Sequence, residues 1–315
     1  MLDLKKLHKM LLGLSGARIL THKSPDGDCI GAGLALCYWL RAKGIPANLL
    51  NSDGIPNRYS FIAEGYSPVE LPGDSASISV DLADTSLLGD SLEEYAGDIY
   101  LSVDHHASNK MFAKNNFVDG SMSAACLIVY EMLSSAGEEI DSLVASCLYT
   151  GIATDTGCFR FENTTPEAHT AAAGLMRLGV DYAGINRLMF DVRSKGRLIA
   201  EQRVISGMEL FGDGRIAVIT VTNGMIEELN IDRTELEGLA SIPLCVEGAR
   251  VGITLKQLEG EHEGYKVSIR TIDIDASLIA SRFGGGGHIR AAGCQIEKSR
   301  EEAVRLLVRE ASALL

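Results

Sequence analysis

The chain has a shortage of basic charge and no long apolar run, and each absence excludes a class of function. Of its 315 residues, 29 are basic and 42 are acidic, which gives a net charge of −13. A long duplex nucleic acid is therefore unsuited as its main ligand, because phosphate binding needs a basic surface. No apolar run reaches the length of a membrane span, so we expect no membrane partner.

Two further features favour a cytoplasmic location. The seven cysteines are scattered and form no C-x-x-C pair, which predicts structural thiols in a reducing compartment. The first 20 residues, MLDLKKLHKMLLGLSGARIL, superficially resemble a signal sequence, but their apolar stretch is short and interrupted by lysine and histidine. We therefore predict an amphipathic helix there and not a targeting segment.

Short apolar runs alternate with helical patterns in the first part of the chain. Runs typical of strands lie at 17–20, 47–50, 77–80 and 98–103. Helical patterns lie at Gly31–Lys43, 121–135, 141–151 and 166–179. This alternation predicts an α/β fold, with a parallel-sheet domain over residues 1–185.

The remaining sequence predicts a connector and a smaller domain, as the length of the chain also suggests. The polar helical stretch at 186–211 is interpreted as a helical linker. Residues 212–315 are expected to form the smaller α/β domain. There, 251–272 has the pattern of a hairpin with a turn near 259–264, and a helix at Ile274–Arg282 leads into a glycine-rich loop.

Acidic and imidazole side chains follow the predicted strands in four separate segments. The candidate metal ligands are His22, Asp26 and Asp28 in H-x-x-x-D-x-D, Asp81 in VDLAD, His105 in DHH and Asp155 in GIATDTG. The carboxyl ends of parallel strands lie at one rim of a sheet, so these side chains should converge. Carboxylates clustered in a dry pocket repel one another, and divalent metal ions are the usual remedy. The pattern predicts a two-metal hydrolase.

Asp81 is the preferred candidate for a residue that bridges two metal ions. It follows a buried run directly, and one carboxylate can bind two ions spaced about 3.5–4 Å apart. Asp84, three residues later, has the alternative role of capping the next helix. The mixture of imidazole and carboxylate ligands favours Mn²⁺, and Mg²⁺ less well.

Each segment also has a plainer interpretation. The sequence around Asp26 and Asp28 is typical of a turn with solvated carboxylates, and Gly151–Gly157 is typical of a simple loop. The adjacent His105 and His106 would be poor core residues, because both rings need hydrogen-bond partners. Four such segments in order make a shared site the better interpretation.

A glycine run near the C-terminal end predicts a second kind of binding site. The backbone N–H groups of Gly284–His288 can approach a phosphate closely, although the sequence is not a P-loop. A flexible helix C-cap is the alternative. Arg270, on the preceding predicted strand, is a candidate to pair with a phosphate. Arg160 is another, for which a surface salt bridge is the alternative.

Five segments together resemble the DHH–DHHA1 phosphoesterases. They are THKSPDGDCIGAGLAL, VDLADTS, SVDHH, GIATDTGCFRF and FGGGGHIRAAG, and they extend over nearly the whole chain. The resemblance implies a parallel-sheet DHH domain joined by a helical linker to a smaller α/β DHHA1 domain. The two-domain form of about this length is similar to the nanoRNase/pAp-phosphatase type. Members of that type shorten very short oligonucleotides, and many dephosphorylate 3′-phosphoadenosine 5′-phosphate (pAp).

The resemblance also implies roles for the candidate residues. A first Mn²⁺ ion, for which Mg²⁺ is a possible substitute, would be bound by His22, Asp26 and Asp81. A second ion would be bound by Asp28, Asp81, His105 and Asp155. The scissile phosphate would be faced by His106, and a ligand imidazole would be oriented by Asp104. The rest of the nucleotide would be bound by Gly285, Gly286, Gly287, His288 and Arg270.

We therefore expect a Mn²⁺-dependent phosphoesterase that hydrolyses short oligoribonucleotides, pAp or both, with a water activated by two metal ions. Cyclic dinucleotides or their linear products such as pApA are alternative substrates. An inorganic pyrophosphatase would share the metal ligands but not the GGGGH loop, and the complete ligand set weighs against a metal-dependent nucleotide sensor. A cleft between the domains should admit only short substrates, and a homodimer is a possible assembly.

Overall fold

The computed structural model describes residues 2–231, 233–260 and 263–315. The chain divides into two compact units, Met1–Val192 and Arg193–Leu315. Each unit combines helices with one sheet, which confirms the predicted α/β fold class; the finer domain boundaries stay a prediction. In the described part of the chain, no helix has the length and apolar character needed to cross a membrane.

The first unit is built on a five-stranded parallel sheet. Its strands are β1 (Ala17–Leu20), β2 (Ala47–Leu50), β3 (Ala76–Val80), β4 (Ile99–Asp104) and β5 (Asn115–Val118). They are arranged in the order β2-β1-β3-β4-β5, and all neighbours are parallel. The strands β1, β3 and β4 are almost wholly buried, as expected for a sheet covered on both faces.

Helices connect and cover these strands. They are α1 (Leu4–Leu12), α2 (Gly27–Ala42), α3 (Ala125–Ser135), α4 (Ser142–Asp155), α5 (Pro166–Arg177) and α6 (Tyr182–Asn186). Shorter 3-10 helices lie at Asn57–Ile62, Thr85–Leu87 and Asp90–Tyr95, and a π-helical turn lies at Arg187–Asp191. Five of the helices begin at a side chain that accepts hydrogen bonds from the free N–H groups of the first turn, namely Asp3, Asp26, Asp141, Thr165 and Asp181.

The second unit contains a six-stranded mixed sheet. Its strands are β6 (Glu209–Phe211), β7 (Ile216–Val221), β8 (Val251–Gln257), β9 (Tyr265–Thr271), β10 (Gly286–His288) and β11 (Ala291–Ile296), in the order β10-β11-β9-β8-β7-β6. The strands β7 and β8 pair in parallel, and the other neighbours are antiparallel. Its helices are α7 (Lys195–Ser206), α8 (Asn223–Leu229), α9 (Ala276–Ser281) and α10 (Arg300–Ser312), with a 3-10 helix at Arg233–Cys245.

The structure differs from the sequence prediction in several elements. The edge strand β5 was not predicted, because its sequence NNFV contains one buried apolar residue, Phe117. The predicted helical stretch 186–211 ends in strand β6, which pairs with β7. The predicted hairpin does form from β8 and β9, while residues 261 and 262 of its turn lie outside the described residues.

Two differences affect candidate site residues. The helix predicted at 141–151 continues to Asp155 as α4, so Asp155 ends a helix and does not lie in a loop after a strand. The glycine run predicted as a loop forms strand β10 over Gly286–His288, paired with β11. In both cases the backbone conformation is fixed by packing or pairing with distant segments.

Candidate metal centre

Three neighbouring strands of the parallel sheet end in ionisable side chains. The order β1-β3-β4 places His22, Asp81 and the sequence Asp104-His105-His106 at one rim, because parallel strands end at the same edge. The remaining members, Asp26 and Asp28, begin helix α2, and Asp155 ends helix α4. The structure therefore brings together all six residues predicted as metal ligands.

Asp81 lies at the centre of this cluster and is only 2% exposed. Its Oδ2 is 3.6 Å from His22 Nε2, and its Oδ1 is 3.4 Å from His105 Nε2. Among the residues that the structure describes, Oδ1 has no hydrogen-bond partner. The backbone of Asp81 has a φ of +53°, a left-handed conformation that costs a non-glycine residue free energy and is concentrated at functional sites.

Two imidazole rings are held in the same way. Nδ1 of His22 is 2.8 Å from the carbonyl oxygen of Lys23, and Nδ1 of His105 is 3.3 Å from that of Met122. A carbonyl only accepts, so Nδ1 donates in both rings and Nε2 is the nitrogen that faces the carboxylates. Nε2 of His105 also lies 3.2 Å from Asp155 Oδ2. Each ring is thus oriented as in metal-binding histidines, whose Nε2 becomes the ligand atom once it has lost its proton.

The two carboxylates at the start of α2 have different local roles. Asp26 caps its own helix by accepting hydrogen bonds from the N–H groups of Asp28 and Cys29. Asp28 is fully buried and caps another helix, α3, because its oxygens accept from Ala125 N at 2.6 Å and Cys126 N at 2.8 Å. Both carboxylates are therefore fixed by helix N-termini.

Close packing of α2 on α4 brings Asp155 into the cluster. A Cβ atom on Gly27 would lie 2.3 Å from Thr154 Oγ1, and one on Gly151 would lie 2.2 Å from Cys126 Sγ and 2.7 Å from Asp28 Oδ1. Neither position has room for a side chain. Glycine at both positions lets the C-terminal end of α4, with Asp155, approach Asp28 and His105.

His106 extends from the cluster toward solvent. Its side chain is 42% exposed, and its Nδ1 lies 2.7 Å from Asp104 Oδ1. Asp104 is fully buried, and its other oxygen accepts a hydrogen bond of 2.6 Å from Asn109 Nδ2. The sequence predicted that Asp104 would orient a ligand imidazole; in the structure its carboxylate contacts the ring of His106. Asn109, which completes this chain of contacts, was not recognised in the sequence.

The donor atoms form three groups that fit metal binding. The first contains His22, Asp26, Cys29 and Asp81, the second Asp81, His105 and His106, and the third Asp28, His105 and Asp155, with all donor atoms of a group within 4.8 Å of one another. Asp81 and His105 each belong to two groups. Shared ligands of this kind suit a pair of neighbouring cations.

Cys29 was predicted only as a structural thiol, but it lies in the first group. Burial raises the pKa of its thiol to about 12, so it is protonated at neutral pH, whereas the thiolate is the form that binds metals. Its position directly after Asp28 was the available signal in the sequence.

The pKa values reflect a crowded set of buried charges. Burial, with the repulsion of nearby carboxylates, raises the pKa of Asp28 to about 7 and that of Asp155 to about 9. Burial also opposes the charged form of His105, but its contacts with Asp81 and the other carboxylates outweigh this and raise its pKa to about 10. Burial disfavours the Asp81 carboxylate too, yet His105 and His22 keep its pKa well below the usual range. Without metal, bound protons compensate the negative charge of the carboxylates. Metal cations can compensate the same charge in their place.

Two other candidates lie beside the cluster. Asp84 belongs to none of the three donor groups; it caps the 3-10 helix at Thr85–Leu87 through Ser86 N and forms an ion pair with Lys110. Arg160 is exposed, and its Nε donates a hydrogen bond of 2.6 Å to the Gly157 carbonyl.

The candidate nucleotide-binding residues of the second unit lie on neighbouring strands. His288 on β10 and Arg270 on β9 are both directly opposite Ala291 of β11. Directly opposite residues of antiparallel strands share a face of the sheet, so the ring and the guanidinium flank a small side chain. Arg270 makes one weak hydrogen bond, of 3.4 Å to the Ile269 carbonyl.

Gly285, directly before β10, and Gly287 within it are required by the close approach of β11. A Cβ atom on Gly285 would lie 2.1 Å from the Gly293 carbonyl oxygen, and one on Gly287 would lie 2.5 Å from the Ala291 carbonyl oxygen. Gly287 also has a φ of +147°. The glycine run thus has a structural role in addition to any role in phosphate binding.

Comparisons with known proteins agree with this geometry. Residues 17–152 match the family model described as DHH family, N-terminal domain, and residues 213–315 match the DHHA1 domain. Over 284 residues, the chain is 35% identical to the bifunctional oligoribonuclease and PAP phosphatase NrnA of Thermus thermophilus, which covers 89% of this chain and 83% of that protein.

Two further proteins extend the comparison. The bifunctional oligoribonuclease and PAP phosphatase NrnA of Bacillus subtilis is 24% identical over 295 residues, covering 91% of this chain and 90% of that protein. An exopolyphosphatase-related protein from Bacteroides fragilis has a TM-score of 0.87 at 23% identity, covering 98% of this chain and 95% of that one. The latter similarity shows a shared fold.

Proposed function

This chain belongs to the DHH family, in the form that carries a DHHA1 domain, and is a hydrolase; we propose that it is a Mn²⁺-dependent phosphoesterase acting on short oligoribonucleotides, pAp or both. The observation that carries the proposal is the buried Oδ1 of Asp81, which has no hydrogen-bond partner in the described part of the chain and lies beside two imidazoles. An unpartnered buried carboxylate oxygen is costly unless a cation binds it.

Two divalent ions would be bound by the residues of the cluster. The first would take His22, Asp26 and Asp81 as ligands. The second would take Asp28, Asp81, His105 and Asp155. A pair of such ions lowers the pKa of water and neutralises charge on a phosphoryl group. The nitrogen and oxygen donors of these six residues are the set that suits Mn²⁺.

His106 would contact the scissile phosphate. Its hydrogen bond to Asp104 is the main influence on the ring and raises its pKa, which favours the protonated imidazolium. With Nδ1 directed at Asp104, Nε2 is the nitrogen that would donate a hydrogen bond to a phosphoryl oxygen. Asp104, fixed in turn by Asn109, would keep the ring in this orientation.

The second unit would bind the part of the nucleotide that does not react. Arg270 and His288 lie in one row of its sheet and would contact a terminal phosphate or a base. The backbone of Gly285, Gly286 and Gly287 would approach the same group closely, since no side chain intervenes.

Short substrates fit the charge of the chain. The chain has a net charge of −13, so each further nucleotide of a long substrate would be repelled by the protein and would make few contacts with it. Proteins that track long single strands use a basic groove instead. Two relatives carry names for activity on oligoribonucleotides and PAP. The cytoplasm is the location we propose, because all seven cysteines are free thiols.

A substrate panel tests this function. Steady-state rates would be measured with Mn²⁺ on pAp, pApA, pyrophosphate and a series of RNAs from two to twenty-four nucleotides under matched salt. We expect kcat/KM to be highest for pAp or for substrates of about two to five nucleotides and to fall with length. Hydrolysis of pyrophosphate alone, or a kcat/KM that rises with length, would contradict the proposal. To test the metal preference, the protein would be stripped of metal with a chelator, and Mn²⁺ or Ca²⁺ would then be added. We expect Mn²⁺ to restore activity and Ca²⁺ not to restore it.

A further inference from the structure

A cavity of about 220 Å³ opens beside the metal cluster, and every residue that lines it belongs to the first unit. Its polar lining includes the carboxylates of Asp26 and Asp155, which belong to two different donor groups of the cluster. The rest of its lining includes Arg58, Met189 and Phe190. The cavity therefore has acidic residues of the cluster on one side and cationic and apolar residues on the other.

The lining away from the carboxylates combines aromatic, thioether and cationic groups. The guanidinium carbon of Arg58 lies 4.7 Å from the centre of the Tyr59 ring, a cation–π contact that holds the arginine at the cavity. The guanidinium carbon of Arg160 lies 5.9 Å from the centre of the Phe190 ring. Both arginines are exposed, and neither has an ion-pair partner in the described ranges. Their positive charges are thus available to a ligand.

The backbone that carries Phe190 is itself unusual. Met189 and Phe190 lie in the π-helical turn Arg187–Asp191, which follows α6 directly. Single π-helical turns are rare and occur often at functional sites. Here the turn places a flat ring and a polarisable side chain against the cavity, while Leu188 of the same turn remains 38% exposed.

We propose that this cavity is a nucleoside subsite, in which a base of the substrate stacks on Phe190 beside Met189 while Arg58 contacts a phosphate. The inference rests on the proposed function and extends it to residues outside the recognised motifs. The volume is below the roughly 300–1,000 Å³ of sites for drug-sized ligands, so it suits one nucleoside and not a longer chain. Stacking on an aromatic ring accepts any base, because every base has a π face. The subsite therefore gives affinity for nucleotides without sequence preference.

One experiment can combine the removal of a base from the substrate with the removal of the Phe190 ring from the protein. Wild type and Phe190→Leu would be compared on pApA and on two derivatives, each lacking one of the two adenines. Leucine keeps apolar contact with the core, which Phe190 packs against, but has no π face. Leu188→Ala, in the same turn, is the matched control, and metal content and thermal stability would be measured for each variant.

We expect Phe190→Leu to lower kcat/KM for pApA by about 5- to 150-fold, the range measured for loss of one base stack. On one of the two derivatives, the wild type and Phe190→Leu should differ by less than about twofold, because that substrate lacks the stacked base. Leu188→Ala should match the wild type on all three substrates. An unchanged kcat/KM of Phe190→Leu on pApA, or the same loss on all three substrates, would overturn the inference.

A binding measurement separates this inference from the proposed function. Calorimetry with adenosine 5′-monophosphate and with adenosine requires no hydrolysis. Phe190→Leu should weaken both ligands, whereas Arg58→Gln should weaken the monophosphate by about 10-fold or more and adenosine by less than about twofold. A protein that hydrolyses nothing in the panel but shows this binding pattern would refute the function and support the subsite. If neither substitution changes the affinity for the monophosphate, the subsite is refuted, whatever the hydrolytic activity.

Discussion

The two units of the chain present their candidate functional residues in opposite ways. In the first unit, Asp28, Asp81 and Asp104 are at most 2% exposed and are fixed by helix N-termini, imidazoles and Asn109. In the second unit, strand β10 is exposed along its length and Arg270 makes one weak hydrogen bond. Buried charges must be compensated within the structure, whereas exposed ones remain hydrated and cost little. The first arrangement suits tightly bound cations, and the second suits a ligand that binds and leaves.

The largest effect is expected from Asp81, which is buried and is the proposed shared ligand of both ions. Asp81→Asn keeps the shape but removes the charge that both ions would share, so kcat/KM should fall by about 10³-fold or more. Elemental analysis should show loss at both metal sites. Asp84→Asn, at the half-buried carboxylate of the same VDLAD segment, is the control and should keep both metals. Two metals per chain and near-normal turnover in Asp81→Asn would show that Asp81 is not the bridge.

A separate prediction tests whether His106 acts on the substrate and not on the metals. His106→Ala should lower kcat by about 10²- to 10⁴-fold, as for loss of a positioned proton donor. Its metal content should remain that of the wild type, because the ring faces solvent at the edge of the cluster. Asp104→Asn should cause a smaller loss of about 10- to 100-fold through the orientation of the ring. A loss of metal from His106→Ala would assign the ring to the metal ligands.

Substitutions in the second unit should change KM and leave the metal content unchanged. Arg270→Ala and His288→Ala should each raise KM by about 5- to 150-fold, because a charged or polar contact to the nucleotide is lost. Lys266→Ala, an exposed cation four residues earlier on β9, is the control and should leave KM unchanged. If either candidate variant loses metal, or if Lys266→Ala has the same effect, the proposed division of roles between the units is wrong.

The smallest effect concerns the pH dependence of stability without metal. The pKa values of Asp28 and Asp155, about 7 and about 9, lie above the unfolded value near 4, and that of His105, about 10, lies above the unfolded value near 6.5. The folded protein therefore binds more protons than the unfolded chain, and its free energy of unfolding falls as the pH rises. The Tm of the chelated protein should decrease between pH 6 and pH 9.

Metal should remove most of this dependence, because cations replace the bound protons. Scanning calorimetry of chelated and Mn²⁺-loaded protein in the same buffers measures the difference. Asp155→Asn cannot ionise, so its chelated form should lose less stability over this pH range. A Tm of the chelated wild type that stays constant or rises with pH would contradict the predicted protonation of the cluster.

Sequence patterns predicted the strand-end residues well, because each follows a recognisable apolar run. They failed where the conformation of a segment depends on contacts with a distant part of the chain, or where the segment has no side-chain pattern of its own. The glycines of β10 have no periodicity to reveal a strand, and only pairing with β11 makes one. For the GIATDTG segment, a simple loop was the plainer interpretation, and the predicted helix ended at residue 151. In the structure, position 151 lies inside α4, and glycine is required there because Cys126 and Asp28 pack where a side chain would be.

The nucleoside subsite had no motif at all. Arg58 and Phe190 are separated by more than a hundred residues, and neither lies in a segment that resembles the family. Their chemistry is ordinary in isolation, since an exposed arginine and a phenylalanine occur in most chains. They become informative only as joint neighbours of Asp26 and Asp155 around one cavity.

The sequence by itself determined the fold class, the family and the residue types of the candidate metal centre. These depend on local patterns, namely apolar runs that end in aspartate or histidine. The tertiary structure decided how those residues are held. Asp28 caps a helix that begins 97 residues later in the chain, and Asp155 reaches His105 only because two glycines let α2 and α4 approach. Contacts between segments so far apart depend on how all the elements pack, which no local pattern specifies.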